Sequence, residues 1–257
     1  KLIDPHQRLF LESCWRVIED SGTHAFNLKR TKTGVFAGFS TRFSRDYFNF
    51  INHYDLKPFS LAHIGNLPSV IPSRISYFLD LKGPALTIDT ASSSSLSSIH
   101  LACQSIMIGE CEQAIAGGIS LNLFPIQLNE SNRLGVESKD SKARSFDKSS
   151  EGTVWGEGIA TVFLKKLSLA EKDNDNIYSV IKISTMNNDG FVESGITTPN
   201  IESQIEMLEE SYKKSSIHPE TLGYFEAHGS GTKVGDPIEF CAINKAFQNF
   251  TSKKQFC

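Results

Sequence analysis

ALTIDTASSSSL, residues 85–96, passes from an apolar tetrapeptide through Asp89-Thr90-Ala91 into a run of serines, Ser92 to Ser95, and a leucine. Ala85 to Asp89 reads as a short buried strand, and the pattern from Leu96 to about Ile108 as a helix. The chain must therefore turn sharply from strand into helix, presenting a side chain at the helix N-terminus. Unpaired N–H groups and the macrodipole stabilise developing negative charge there. Such a turn is a good seat for a nucleophile and its oxyanion. Serines are also favoured helix caps, so the run has a plainer reading as capping.

Upstream, Asp4 can cap a helix whose first turn takes Pro5 and whose apolar face is Leu9, Leu11, Cys14, Trp15 and Ile18. Ser21-Gly22 stops it. TGVFAG, Thr33 to Gly38, reads as a buried strand. Residues 39–66 are polar and aromatic without a clean period and predict irregular surface structure. Ser73 to Leu79 looks helical and leads through Lys82-Gly83-Pro84 into the strand at Ala85. Downstream, Glu112 to Asn122 predicts a strand whose two glycines let something pack closely. Ser138 to Gly158 is loop-rich and charged. Ile159 to Leu167, Tyr178 to Asn187 and Leu222 to Glu226 predict strands. Glu202 to Ser215 predicts a helix, and so does the stretch from Asp236-Pro237 to about Phe247. Alternating strands and helices mean an α/β fold with a layered core.

The remaining chemistry narrows by exclusion. A formal net charge of -3 gives no reason to expect nucleic acid or an anionic membrane. No apolar stretch approaches the roughly 20 residues that span a bilayer. The cysteines Cys14, Cys103, Cys111, Cys241 and Cys257 form no C-x-x-C pair, which argues for reduced thiols in a cytoplasmic setting. No H-x-x-x-H pair occurs, so no zinc site is expected. G-x-S-x-G is absent, which disfavours a serine-hydrolase elbow, and Gly152 to Gly158 is not a nucleotide-binding glycine loop.

A second loop can carry chemistry: Glu226-Ala227-His228-Gly229-Ser230-Gly231-Thr232. A histidine at a strand end can donate to a substrate oxygen or move a proton. Gly229 and Gly231 let a ligand approach the backbone. The alternative is a buried, satisfied histidine followed by a turn.

Five segments together resemble the ketosynthase domains of modular polyketide synthases. Asp4 to Glu12 (DPHQRLFLE) resembles the family's DP-x-QR-x-x-LE helix, continued by Trp15 and Glu19 to Gly22. Ile88 to Leu96 resembles the nucleophile motif DTACSSSL. Phe146-Asp147 through Gly156-Glu157-Gly158 resembles FD…G…GEG, and Asn188-Asp189-Gly190 through Thr198-Pro199-Asn200 resembles DG…TAPN. Glu226 to Thr232 with Gly235 to Glu239 resembles EAHGTGT…GDPIE. The motifs occur in order over nearly the whole chain.

The resemblance implies a thiolase-like layered fold of helices and mixed sheets, usually dimerised through an edge strand. It implies decarboxylative Claisen condensation of an acyl chain with a malonyl-type extender. Ser92 matches the cysteine that accepts the acyl chain, and His228 matches the histidine that assists decarboxylation. Ser230 and Thr232 match hydroxyls that contact the phosphopantetheine arm of an acyl carrier protein. Ser93 to Ser95 are expected to cap and pack. No metal or cofactor of its own is implied; the phosphopantetheine belongs to the carrier protein. Other synthase domains are expected partners, while nucleic acid and membrane are not.

Two departures from the family bear on activity. Ser92 replaces a cysteine, and a serine hydroxyl stays protonated unless a base activates it. The chain is therefore expected to condense poorly, as an engineered trap or as a natural non-elongating domain. The family's preceding apolar strand and its later K-x-N-x-G-H motif are not found in the sequence. Residues 1–257 are accordingly read as the central part of one ketosynthase domain, incomplete at both ends. The rival readings are an acyl-holding transacylase, a non-catalytic dimer partner, and a fatty-acid ketoacyl synthase.

Overall fold

The computed structural model describes residues 2–40, 46–54, 60–123 and 135–254. Asp4 caps α1 (Pro5–Asp20), its carboxylate accepting from the His6 backbone N–H at 2.7 Å. The buried stripe is His6, Gln7, Phe10, Cys14 and Ile18. Leu9 and Trp15, expected on that face, are instead 37% and 40% exposed. The row of every fourth residue through Phe10, Cys14 and Ile18 faces inward, and both fall beside it.

β1 (Thr33–Gly38) is buried at every position. The stretch 39–66, expected to be irregular, contains two short helices, α2 (Asp46–His53) and α3 (Ser60–Ile64). α4 (Val70–Leu79), β2 (Ala85–Ile88), α5 (Ser94–Ile108), β3 (Gln113–Ser120) and β4 (Gly158–Lys165) follow in the expected order, and α6 (Leu167–Asp173), a helix not expected from the sequence, comes after β4.

The strands form one mixed sheet, β2-β1-β3-β4, with β2 and β3 parallel to β1 and β4 antiparallel to β3. Strand alternation sorts the side chains between two helical layers. Val35, Ala37, Ile115 and Ile119 meet Phe10 and Ile18 of α1 and Ile71 and Ile75 of α4. Phe36, Ala114 and Ala116 meet Ala102 and Ile106 of α5 on the opposite face. β1 is covered on both faces, which is why Gly34 to Gly38 contains no polar side chain. Burial of Phe36 alone contributes roughly 2–3 kcal/mol.

The close packing expected at the β3 glycines is present. A Cβ on Gly117 would lie 2.0 Å from the carbonyl oxygen of Ala160 in β4, and one on Gly118 would lie 2.6 Å from the Ser95 Cβ. Gly117→Ala must push β3 and β4 apart and is expected to destabilise by about 2–3 kcal/mol. Thermal melting checks this, and an unchanged midpoint would show that β4 yields freely.

These elements belong to one compact unit, Lys1–Ile126 with Gly156–Val180, and a second comprises Gln127–Trp155 and Ile181–Cys257. In the second, Asn200 caps α7 (Ile201–Ser215) by accepting from the backbone of Glu202 and Ser203. Ile205 of α7 packs on Ala242 and Ala246 of α8 (Gly235–Gln248). Tyr212 and Phe247 extend that contact with ring centroids 5.6 Å apart.

The strands expected at Tyr178–Asn187 and Leu222–Glu226 are not formed. Neither segment joins a ladder among the described residues; Ile181 is 46% exposed and Tyr224 75%. Alternating apolar residues signal an extended backbone, but a strand also needs a pairing partner. Among the described residues no helix is long and apolar enough to cross a membrane.

Candidate active site

β2 delivers the chain to Asp89, and α5 carries it away from Ser94. Between them a single 3-10 turn, Ala91–Ser93, makes the bend. Gly38 and Gly118 are cross-strand partners at the ends of β1 and β3. A Cβ on Gly38 would lie 2.6 Å from the Ser94 carbonyl, so neither position tolerates a side chain beneath the first turn of α5. Bare backbone at this paired position lets the helix start rest directly on the sheet.

Ala91 has φ 54°, in the left-handed region that residues other than glycine avoid. Its neighbours hold it there. The Thr90 N–H donates to Ser94 Oγ at 2.9 Å, and Ser94 Oγ donates to the Ala91 carbonyl at 2.7 Å. The Ala91 N–H donates to Asp89 Oδ1 at 3.1 Å, and Ser93 Oγ donates to the Thr90 carbonyl at 2.8 Å. Thr90 Oγ1 pairs with Ser97 Oγ at 2.9 Å. Ser92 is exposed, and its hydroxyl takes part in none of these bonds. The serine run thus divides: Ser93 and Ser94 tie down the turn, Ser95 packs on Gly118, and Ser92 is presented to solvent.

In the second unit, His228 is also exposed. Glu239 of α8 accepts from its backbone N–H at 2.6 Å and from that of Gly229 at 2.9 Å. Asp236, only 3% exposed, accepts from Gly231 N–H at 3.0 Å and Phe146 N–H at 2.7 Å, with the Ser230 hydroxyl at 3.4 Å. Ser145 and Ser150 donate their hydroxyls to the carbonyls of Gly229 and Gly231. Gly229 and Gly231 take φ 52° and 75°, conformations that suit glycine. Ser230 and Thr232 lie together with hydroxyl oxygens 3.0 Å apart, and Thr232 Oγ1 accepts from Gly235 N–H at 3.0 Å. Beside the loop, the Ser149 hydroxyl and N–H hold the Asp147 carboxyl below the usual carboxylate range.

His228, Ser230 and Thr232 therefore share one loop clamped by carboxylates and serine hydroxyls. Sequence reading gave Asp236 and Glu239 no role. The available signal was two acids early in a helix that follows a glycine-rich loop, placed to reach back to the loop N–H groups. Among the described residues, no cluster of His, Cys, Asp or Glu is arranged to hold a metal.

A serine-bearing elbow on a mixed sheet and a glycine-histidine loop match a known class. The family described as Beta-ketoacyl synthase, N-terminal domain, matches residues 1–170, and Beta-ketoacyl synthase, C-terminal domain, matches residues 178–257. The chain belongs to the beta-ketoacyl synthase family. It is 42% identical to polyketide synthase PksM of Bacillus subtilis, covering 100% of this chain and 6% of that protein. It is 41% identical to polyketide synthase PksL of the same organism, covering 99% of this chain and 6% of that protein. The ketosynthase from module 6 of the Bacillus subtilis bacillaene synthase superimposes with a TM-score of 0.90 at 41% identity, covering 100% of this chain and 43% of that one. A cysteine-to-serine mutant of the same ketosynthase gives 0.89 at 42% identity, covering 100% of this chain and 42% of that one. The chain spans less than half of these solved ketosynthases and a small part of the curated synthases. Its fold is thiolase-like, and its relatives are modular polyketide synthases.

Proposed function

We propose that residues 1–257 form part of one ketosynthase domain of a polyketide synthase, with Ser92 at the acyl-accepting position. The observation that carries this reading is the elbow. There, the exposed Ser92 stands in the turn before α5 outside the hydrogen bonds of the bend, while Ser93 and Ser94 beside it are engaged with its backbone. In the reaction, the side chain at position 92 attacks an acyl thioester, expelling the phosphopantetheine thiol of an acyl carrier protein. A malonyl-type extender on a second carrier then loses carbon dioxide, with His228 donating to the enolate oxygen. The enolate carbon attacks the acyl carbonyl and forms the new carbon–carbon bond. The group at position 92 leaves and recovers its proton. Ser230 and Thr232 contact the phosphopantetheine arm, which is the partner's prosthetic group. β2 is an edge strand with Leu86 47% exposed, which supports pairing of two copies in a homodimer.

A hydroxyl is a weak nucleophile at neutral pH, and the ester it forms is a poorer acyl donor than a thioester. The Ser92 chain is therefore an acyl holder that condenses poorly. The same observation favours a second reading, a natural domain that holds or passes the chain without elongating it. Incubation with an acyl-loaded carrier protein, followed by intact and peptide mass spectra, tests both. The expected result is a slow, stable adduct on the Ser92 peptide. If Ser92 and its cysteine variant both stay unmodified in the polypeptide that carries these residues, the non-catalytic reading replaces this one.

A further inference from the structure

We infer that Ser94 is a positioning residue for the reacting atom at position 92, acting through the backbone of Thr90 and Ala91; the inference rests on the ketosynthase reading above. The direction of the position-92 side chain is set by the peptide that joins it to Ala91. That peptide follows a residue at φ 54°, a conformation that persists in alanine only when its surroundings impose it. Among the described residues, Ser94 is the side chain that bonds on both sides of the strained residue. Its oxygen accepts from Thr90 N–H at 2.9 Å and donates to the Ala91 carbonyl at 2.7 Å, like a staple across the bend. It is 5% exposed and its backbone lies over Gly38, so the helix turn that carries the hydroxyl is seated on the sheet beneath it. Loss of this hydroxyl frees the Thr90 N–H and removes the tie on the Ala91 carbonyl, and the backbone can relax toward negative φ. The side chain at position 92 then swings off the helix N-terminus while the helix itself survives.

The test uses the Ser92→Cys background in the polypeptide that carries these residues, with single-turnover acylation from an acyl carrier protein. Ser94→Ala is expected to lower the limiting acylation rate about tenfold and to leave the half-saturating carrier concentration unchanged, since misplacement by a fraction of an ångström costs rate before binding. Ser94→Thr, which keeps the hydroxyl, should restore most of the rate. Ser98→Ala is the control for general helix damage. That serine is fully buried on α5 and donates to the carbonyls of Ser95 and Gly117, at 2.7 and 2.9 Å, without touching the bend. It should reduce melting temperature but leave the acylation rate within about twofold of the parent. Thr90→Val is a second route, needed if Ser94→Ala does not fold. It removes the side-chain ties to Ser93 and Ser97 and should lower the rate in the same direction. Acylation by Ser94→Ala at the parental rate overturns the inference, as does an equal loss in Ser98→Ala. With Ser94→Ala unfolded, an unaffected Thr90→Val overturns it too. Failure of the Ser92→Cys parent to acylate at all would instead refute the ketosynthase reading.

Discussion

Exchange of Ser92 for cysteine is expected to raise the rate of carbon–carbon bond formation by at least about a thousandfold in the polypeptide that carries these residues. A thiol at a helix N-terminus has its pKa drawn down to about 3.5–7.5, so the thiolate is available at neutral pH. The start of α5 supplies that environment, and the exposed position of Ser92 gives a carrier-bound acyl group access. A hydroxyl at the same point needs a base to remove its proton. The gain should come in two stages, faster acyl loading and then faster transfer from a thioester rather than an ester. Product formation by mass spectrometry, with radiolabelled extender as a second readout, checks the prediction. Equal condensation rates for the serine and cysteine forms would show that an unrecognised base activates the hydroxyl.

The second large effect is expected at Asp236. Its carboxylate is buried and accepts from two backbone N–H groups on separate loops, those of Gly231 and Phe146. Asp236→Ala leaves those donors without the acceptor and is expected to destabilise the second unit by about 3 kcal/mol or more. The functional consequence follows from which loop it holds. Gly231 lies three residues beyond His228, so decarboxylation of the extender should fall far more than acyl loading does. In the Ser92→Cys background, loading should stay within about threefold of the parent, while elongation drops at least about a hundredfold. Equal losses in the two half-reactions would mean that Asp236 supports the fold generally. Asp236→Asn, which keeps an acceptor oxygen, separates charge from geometry and should recover part of the elongation.

The sequence made the first unit legible because its elements are local or covered on both faces. The strand at Thr33 to Gly38 could be read directly, since the short apolar run that starts after Lys32-Thr33 has few alternatives. The cap at Asp4 was equally clear. The exposure of Leu9 and Trp15 was not, because apolar residues on neighbouring rows of one helix look alike until the sheet selects a face. Tyr178–Asn187 misled for a different reason. Its alternation is genuine, but pairing is a property of two segments and only one is written in that stretch. At the candidate site, the roles proposed for Ser92 and His228 come from motif, and the surrounding frame was not legible. The roles of Ser94, Asp236 and Glu239 depend on backbone atoms brought near them by turns, which residue types alone do not reveal. The two glycines of β3 fall between these cases: close packing was legible, but not that one meets a strand and the other a serine.

The left-handed Ala91 has a consequence for attempts to make such proteins more robust. Glycine adopts φ 54° without steric strain, and even after its extra unfolded-state entropy it should improve folding stability by up to about 1 kcal/mol. A library screened only by melting temperature would therefore enrich glycine at residue 91. The same exchange widens the range of backbone angles available just before the proposed acyl-accepting position. Heat tolerance and chemical competence are set against each other at a single residue, and selection for one alone would drift away from the other.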